Sequence, residues 1–183
     1  MCLAIDKLSI NSYSDILHFA PENSVSEKIK TKHPGRYIGA DKLNNEGRRS
    51  GLIIEEISAE NIPYPDASFS GIIASHIMEH VDDDLKCIRA FHRVVQPRGW
   101  VMLLIPIFSH LLSQESSTDF GQWDHKRLYH PKELMKKMTS NGFRCVSLYT
   151  FDGLFNVSEN RYNIHKHHVR FQEADMVCFK GPD

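Results

Sequence analysis

Residues 15–22 of the chain read DILHFAPE and contain its first clear structural signal. An apolar run, Ile16–Phe19, breaks at Ala20 and Pro21, and a polar segment compatible with a helix follows at Asn23–Lys30. A strand, a sharp turn and a helix in this order are typical of the start of an α/β domain that binds a nucleotide over the carboxyl end of the strand. The turn lacks the glycine-rich sequence that such turns usually carry.

A second strand signal lies about 20 residues further on. The predicted strand Arg36–Ala40 is followed by Asp41, and a polar loop begins at Lys42. A carboxylate at the end of the second strand can accept hydrogen bonds from two ribose hydroxyls through its two oxygens. Asp41 is therefore predicted to bind the ribose of a nucleotide.

The rest of the chain continues to alternate between strands and helices. Further strands are predicted at Leu52–Ile57, Phe69–Ser75, Trp100–Ile107, Phe143–Tyr149 and Ala174–Lys180, and helices at about Asp82–Val95 and Pro131–Ser140. Residues 108–130 show little periodicity and are predicted to form a long loop. The apolar stripe predicted for the helix that starts near Asp82 comprises Leu85, Ile88, Phe91 and Val95.

This order of elements predicts the fold class. Strands that alternate with helices indicate a parallel sheet. Because a loop and not a helix joins the last two strands, the final strand should run antiparallel to its neighbour. We expect one α/β domain over residues 1–183, with a short N-terminal arm at 1–14. Its core would be a Rossmann-like, seven-stranded, mostly parallel sheet with helices on both faces and a C-terminal antiparallel hairpin strand.

Composition excludes several classes of protein. The 183 residues have 41% hydrophobic and 25% charged content, as in ordinary globular domains. A formal net charge of -1 gives no electrostatic reason to expect a nucleic acid or a membrane surface as partner. The first residues do not resemble a signal peptide, and no apolar stretch is long enough to span a bilayer. A cytoplasmic protein is expected.

The four cysteines are far apart in the sequence and form no CxxC pair. They are Cys2, Cys87, Cys145 and Cys178. Three of them fall in predicted helices or strands, which favours reduced, partly buried thiols. Neither a disulfide framework nor a zinc site is expected from this pattern.

Several local sequences are similar to those of class I S-adenosylmethionine-dependent methyltransferases, in particular the small-molecule methyltransferase group. The similar segments are Ala59–Phe69 (AENIPYPDASF), Ala74–Asp83 (ASHIMEHVDD), Arg89–Val101 (RAFHRVVQPRGWV) and Gly142-Phe143. They occur in the order and at the spacing of that family, and the resemblance extends from Asp15 to Phe179. It implies a Rossmann-like fold and methyl transfer from S-adenosylmethionine to a small-molecule acceptor.

The resemblance also implies a cofactor site at the carboxyl ends of the strands. The residues that it places there are His18, Ala20, Pro21, Glu22, Asp41, Lys42, Ser58, Ala59, Glu60, Ser75 and His76. Asp41 would bind the ribose, the segment Ser58–Glu60 would flank the adenine, and Ser75 and His76 would line the methionine end. Ser58 departs from the family, which often has Asp at this position.

The first turn departs most from the family pattern, an acidic residue followed by GxGxG. His18 stands in place of the acid, and Ala20, Glu22 and Ser24 replace the three glycines. Loss of glycine makes a close approach of the backbone to a ligand harder. Glu22 offers a different solution, because its carboxylate could bind the ammonium group of the cofactor. For both His18 and Glu22, a purely structural role stays open beside ligand contact.

Three histidines are candidates for the acceptor end of the site. His76 and His80 follow the fourth strand, and His125 lies in the long loop, within a segment similar to the family's HxRxY element. An imidazole titrates near neutral pH and can act as a general base. Alternatively, His125 and Arg127 hold the loop against the domain.

No metal is expected from the sequence, because the cluster His165, His167 and His168 has no acid or cysteine at ligand spacing. Other functions stay open: a degenerate methyltransferase-fold protein that acts as a binding or partner subunit, and an S-adenosylmethionine-binding enzyme with different chemistry. A nicotinamide dehydrogenase is disfavoured by the lack of a GxGxxG turn. The short segment before the first strand suggests a homodimer in which the partner closes the pocket.

Overall fold

The computed structural model describes residues 15–32, 35–42, 54–107, 114–115, 125–147 and 172–182. The predicted arm at 1–14, most of the predicted loop at 108–130 and the histidines at positions 165, 167 and 168 lie outside these residues.

Within the described ranges, strands and helices alternate as the sequence predicts. The elements are β1 (Ile16–Phe19), α1 (Asn23–Lys32), β2 (Tyr37–Asp41), β3 (Ile54–Glu56), β4 (Phe69–Ser75), α2 (Asp84–Val94), β5 (Val95–Ile107), β6 (Gln114–Glu115), β7 (Arg127–Leu128), α3 (Pro131–Ser140), β8 (Phe143–Ser147) and β9 (Gln172–Lys180). The predicted elements are confirmed within a few residues at their ends. The long loop differs from the prediction, because β6 and β7 form a small antiparallel pair there.

Seven strands form one sheet in the order β3-β2-β1-β4-β5-β9-β8. The first five are parallel, and β9 runs antiparallel to both β5 and β8. The predicted seven-stranded, mostly parallel sheet with an antiparallel C-terminal strand is therefore confirmed. The last strand along the chain is not at the edge of the sheet, since it lies between β5 and β8.

Helices cover both faces of this sheet, also as predicted. On one face, Val25 and Ile29 of α1 pack against Ile16, Ile73 and Trp100. On the other face, α2 and α3 contribute to the larger core cluster. Burial of each such aliphatic or aromatic side chain stabilises the fold by about 1.5–3 kcal/mol. No described helix has both the length and the apolar content needed to cross a bilayer.

The apolar face of α2 differs from the predicted stripe. Leu85 is exposed at 36%, whereas Cys87 and Val94 are fully buried. The helix starts at Asp84, and the side chain of Asp83 caps it by accepting a hydrogen bond from the Lys86 amide. Val95 is not helical, because it begins β5 and pairs with Phe69.

The expectation that the cysteines are reduced was wrong for one pair. Cys145 of β8 and Cys178 of β9 form a disulfide. The two residues are direct partners in the antiparallel register, which brings their side chains to one face of the sheet. The 33 residues between them concealed this proximity in the sequence. Among the described residues, Cys87 is a free, buried thiol.

The register also aligns the carboxyl ends of three neighbouring strands. Phe19 of β1 is paired with Ala40 of β2 on one side and with Ala74 of β4 on the other. The next residue in each chain segment is Ala20, Asp41 and Ser75, respectively. These three residues therefore lie side by side at one edge of the sheet, and the candidate site is built from them.

Candidate functional site

The first turn of the chain has the backbone of a glycine turn without a glycine. Ala20 adopts a left-handed conformation with φ 47°. This conformation costs a residue with a side chain about 1–2 kcal/mol relative to the right-handed one. The Ala20 amide donates to the carbonyl of Ala40 at 2.8 Å, which ties the turn to β2. Pro21 is buried behind the turn.

Glu22 connects this turn to the end of β4. Its carboxylate Oε1 accepts a hydrogen bond from the Ser75 hydroxyl at 3.3 Å. Glu22 is half-buried and Ser75 is buried, so the acid lies at the carboxyl edge and keeps partial access to solvent. The contact places a negative charge between the ends of β1 and β4.

Asp41 ends β2 beside this turn and is also half-buried. Its carbonyl accepts from the Ile57 amide at 3.1 Å, which orders the chain after β3. Its carboxylate has no hydrogen bond or ion pair within the part of the chain that the structure describes. Lys42, the next residue, is exposed. A half-buried carboxylate with two acceptor oxygens is suited to accept from a ligand.

His18 lies within β1, one residue before its carboxyl end, and not at the edge of the sheet. Its ring is fully buried, and Nδ1 is 2.9 Å from the hydroxyl oxygen of Tyr37. Burial raises the pKa of Tyr37 well above the usual range, so the phenol stays protonated at neutral pH. In this arrangement His18 links β1 to β2 in the interior of the sheet.

The segment after β3 folds into a tight turn. The Ser58 hydroxyl accepts from the Glu60 amide at 3.3 Å, and Ala59 is buried. The carboxylate of Glu60 accepts from the amides of Asp82 and Asp83, at 3.3 and 2.9 Å. The Glu60 side chain therefore fastens this turn to the start of α2, a contact that the sequence did not predict.

A second turn follows β4. His76 has φ 52°, and its amide donates to the carbonyl of Leu104 at 2.8 Å. Its ring Nδ1 lies 3.0 Å from Oε1 of Glu79, whose side chain is completely buried. Non-glycine residues in the left-handed conformation cluster at functional sites, although Ala67 and Arg98 adopt it elsewhere in this chain. Glu79 orients the ring of His76 by this contact.

The structure brings the other two candidate histidines together at the same turn. The rings of His80 and His125 meet edge to face, with centroids 4.7 Å apart. His125 is buried and His80 is half-buried. One side-chain ligand atom from each of Glu79, His80 and His125 lies within 4.8 Å of the others. All three predicted histidines thus surround or adjoin Glu79.

Residues of β7 and its neighbours hold the second turn in place. The guanidinium of Arg127 donates to the carbonyls of Met78, Val81 and Asp82. The Lys126 amide donates to the Glu79 carbonyl at 2.8 Å. Arg127 therefore anchors the residues of β7 to the second turn, the structural role that the sequence analysis allowed for it.

Tyr129 adds to this support. Its hydroxyl lies 3.2 Å from the Met78 carbonyl and 3.0 Å from Oδ2 of Asp84, which also accepts from Lys137. Burial, reinforced by the charge of Asp84, raises the pKa of Tyr129 far above its ordinary value. The phenol is therefore a permanent donor within this network.

Sequence reasoning missed Glu79 as a site residue. Its spacing of three from His76 was the available signal, because that spacing lets the two side chains meet on one turn. The contacts of Arg127 with three carbonyls had no comparable signal, since backbone acceptors leave no mark in the sequence.

Comparisons with known proteins find similarity to methyltransferases. Residues 36–103 match a family model described as a methyltransferase domain. Over 138 residues the chain is 26% identical to the ubiquinone/menaquinone biosynthesis C-methyltransferase UbiE of Pectobacterium carotovorum. The match covers 63% of this chain and 55% of that protein. The chain thus spans about half the length of the curated relatives it matches.

Solved structures with the same fold include two informative examples. The YcgJ protein of Bacillus subtilis has a TM-score of 0.70 and 14% identity, and the match covers 100% of this chain and 99% of that one. The second is the 1,6-didemethyltoxoflavin-N1-methyltransferase of Burkholderia thailandensis with bound 1,6-didemethyltoxoflavin and S-adenosylhomocysteine. It has a TM-score of 0.68 and 12% identity, and the match covers 98% of this chain and 76% of that one. At these identities the likeness establishes the fold.

Proposed function

We propose that this chain, which belongs to the class I S-adenosylmethionine-dependent methyltransferases, transfers the methyl group of that cofactor to a small-molecule acceptor. The observation that carries the proposal is the meeting of three strand ends at one edge of the sheet. There the contact between Glu22 and Ser75 connects the turn after β1 to the end of β4, and Asp41 ends the neighbouring strand β2.

The residues at this edge fit the cofactor. Asp41 has two carboxylate oxygens that no described residue engages, and a ribose presents two neighbouring hydroxyls. Glu22 would bind the ammonium of the methionine end, in place of the acid that the family has at the His18 position. Ser75 would then position Glu22 through its hydroxyl. Because Ala20 already has the left-handed backbone, the turn can follow the ligand without glycine.

Other residues of the predicted site have secondary roles in this proposal. Ser58 and Ala59 would flank the adenine, Lys42 would lie at its solvent-exposed side, and Pro21 would support the turn from behind. Since the carboxylate of Glu60 holds the start of α2, its contribution to the cofactor would come from its backbone. His18 would act through Tyr37 on the position of β1.

The bound cofactor supplies an electrophilic methyl group on a sulfonium. The chain has to hold the acceptor in line with that group, and positioning of this kind can supply much of the rate enhancement of an enzyme. His76 follows the end of β4, so it would face the methyl group, with its ring held by Glu79. His80 and His125 would line the acceptor pocket behind it. One of these imidazoles would take a proton if the nucleophile carries one.

Calorimetric titration with S-adenosylmethionine and S-adenosylhomocysteine tests this proposal. We expect saturable binding of both, with one molecule per chain. Absence of binding at roughly millimolar ligand, which corresponds to about -4 kcal/mol, would refute the enzyme assignment. Binding without methyl transfer to any of a panel of hydroxyl, amine and thiol acceptors would instead favour a binding subunit or a different chemistry.

The assembly and location predicted from the sequence stay predictions. Sedimentation of an active sample tests the homodimer, since an active monomer contradicts it. The disulfide between Cys145 and Cys178 bears on the cytoplasmic location, because cytosolic thiols are mostly kept reduced. Thiol labelling of protein taken directly from cells would show which state is present there.

A further inference from the structure

We propose that Glu79, His80 and His125 form a binding site for one divalent transition-metal cation, such as Zn²⁺. The three residues come from two segments of the chain, the turn after β4 and the residues that lead into β7. Each offers one ligand atom, and these atoms lie within 4.8 Å of one another. The sequence indicated no metal site because His125 lies far from the other two in the chain.

The separation of the three atoms is close to that of a metal centre. Zinc binds histidine nitrogen and carboxylate oxygen at about 2.0–2.2 Å, so two ligands of one ion are at most about 4.3 Å apart. If small side-chain rotations bring the three ligand atoms roughly 1 Å closer together, all three can bond to one ion. His80 and His125 already have their rings in contact.

The carboxylate of Glu79 provides an independent reason. Its Oε1 contacts Nδ1 of His76, whereas its Oε2 is buried and has no hydrogen-bond partner among the residues that the structure describes. The side chain is 0% exposed. A buried carboxylate oxygen without a donor is unfavourable, and buried charges are normally paired or bound to a metal. A cation between Glu79 and the two imidazoles satisfies that oxygen.

The backbone around the three residues is already ordered. The Lys126 amide donates to the carbonyl of Glu79, so the segment with His125 is tied to the segment with the other two ligands. Arg127 binds the carbonyls on either side of Glu79 and His80, those of Met78 and Val81. His76 would hold the ligand carboxylate in orientation, as neighbouring residues do at known metal centres.

The donor set indicates the class of ion. Two imidazole nitrogens and one carboxylate oxygen suit zinc, iron(II) or cobalt(II) better than magnesium or calcium, which prefer oxygen ligands. Three protein ligands leave at least one position for an outside group. If the proposed methyl transfer is right, on which this step rests, that group would be an oxygen or nitrogen of the acceptor.

Metal titration without any cofactor present tests the site. The protein is first freed of metal with a chelator, and His165, His167 and His168 are replaced by Asn so that they do not contribute. We expect one equivalent of Zn²⁺ to bind by calorimetry, and Co²⁺ to develop visible absorption bands with the same stoichiometry. Glu79→Gln and His125→Ala should each weaken binding at least about 10-fold.

The matched control is His92→Ala, because His92 packs on Phe143, outside the proposed ligand set. Its affinity should stay within about twofold of the parent. If Glu79→Gln fails to fold by circular dichroism, His80→Asn takes its place, since His80 is half-buried. No saturable binding, or equal binding by the parent and both ligand variants, would overturn the proposal.

Binding of the two ligands to the parent protein separates this proposal from the function on which its last step rests. The contacts proposed for the cofactor are made by Asp41 and Glu22, so S-adenosylhomocysteine should bind to the parent protein with or without metal. A parent protein that binds S-adenosylhomocysteine but not Zn²⁺ refutes only the cation site, and one that binds Zn²⁺ but not S-adenosylhomocysteine refutes only the methyltransferase site.

Discussion

The two turns at the candidate site are alike in backbone but are held in different ways. The first follows β1 and the second follows β4, and each starts with a non-glycine residue in the left-handed region, Ala20 and His76. The first is held by contacts with the ends of the neighbouring strands. Arg127 and Tyr129, which lie 45–51 residues away from their partners in the chain, hold the second.

This difference separates two proposed roles, recognition of the cofactor at the first turn and formation of the acceptor pocket at the second. The first turn can be located from the local sequence, and its ligand contacts would depend on a few carboxylates at the surface. The second turn needs a distant segment to dock before Glu79 and the histidines come together. Substitutions in the support of the second turn should therefore affect folding, and those at the first turn should affect ligand binding.

The largest effect is expected at the second turn, for Arg127→Met. This change removes the charged donors to the carbonyls of Val81 and Asp82, and such hydrogen bonds are worth about 1.5–3 kcal/mol each, whereas the Met78 carbonyl keeps its contact with Tyr129. The free energy of unfolding should fall by about 2–4 kcal/mol in urea denaturation. Arg144→Met on the exposed surface of β8 is the control. A loss below about 0.5 kcal/mol would mean that the second turn does not need its distant support.

At the first turn, Asp41→Asn should affect binding and not stability. Loss of charged hydrogen bonds to the ribose should weaken S-adenosylhomocysteine binding by about 2 kcal/mol, roughly 30-fold. The thermal midpoint should change little, because no described residue pairs with this carboxylate. Glu56→Gln is the matched control, since Glu56 is the register partner of Asp41 on β3. Equal losses for the two variants would place the ribose elsewhere.

A smaller effect is expected for Glu22→Gln. The amide keeps the hydrogen bond to Ser75 but loses the charge proposed to bind the ammonium group. Calorimetry should show S-adenosylhomocysteine binding about 10-fold weaker, which is about 1.4 kcal/mol. Glu27→Gln, on the exposed side of α1, should leave the affinity unchanged. If both variants bind S-adenosylhomocysteine as tightly as the parent, Glu22 does not contact the ligand and only stabilises the start of α1.

The smallest effect is expected for Ala20→Gly. Glycine relieves the left-handed strain of about 1–2 kcal/mol but makes the unfolded chain more flexible, at a cost of about 0.4–1 kcal/mol. Stability should therefore stay the same or rise by about 1 kcal/mol, as measured by urea denaturation. Ala90→Gly within α2 should instead lower it by about 1 kcal/mol. A comparable loss at both positions would contradict the strained backbone at Ala20.

Local patterns were sufficient to predict most of the sheet and the positions of its strand ends. Apolar runs and helix signals located β1, β4 and α3. The end of the second strand identified Asp41 as a site candidate, and the family resemblance added Ser75 and His76 at the end of the fourth. These features depend on residues that are near one another in the chain.

Features that depend on register or on backbone acceptors could not be predicted in this way. The Cys145–Cys178 disulfide requires the pairing of β8 with β9, which no local pattern specifies. The Glu60 carboxylate accepts hydrogen bonds from backbone amides, which nearly every residue carries. No side chain in the sequence therefore marked its partner at the start of α2. The buried position of Glu79 follows from the docking of Arg127 and could not be read from its neighbours.

A crystal structure with bound S-adenosylhomocysteine would show whether the cofactor lies at the ends of β1, β2 and β4. We predict that the ribose hydroxyls lie within hydrogen-bond distance of the Asp41 carboxylate and that the ammonium group lies against Glu22. The sulfur should face His76 at the end of β4. A ligand bound away from the ends of β1, β2 and β4, or with its ribose on another carboxylate, would contradict it.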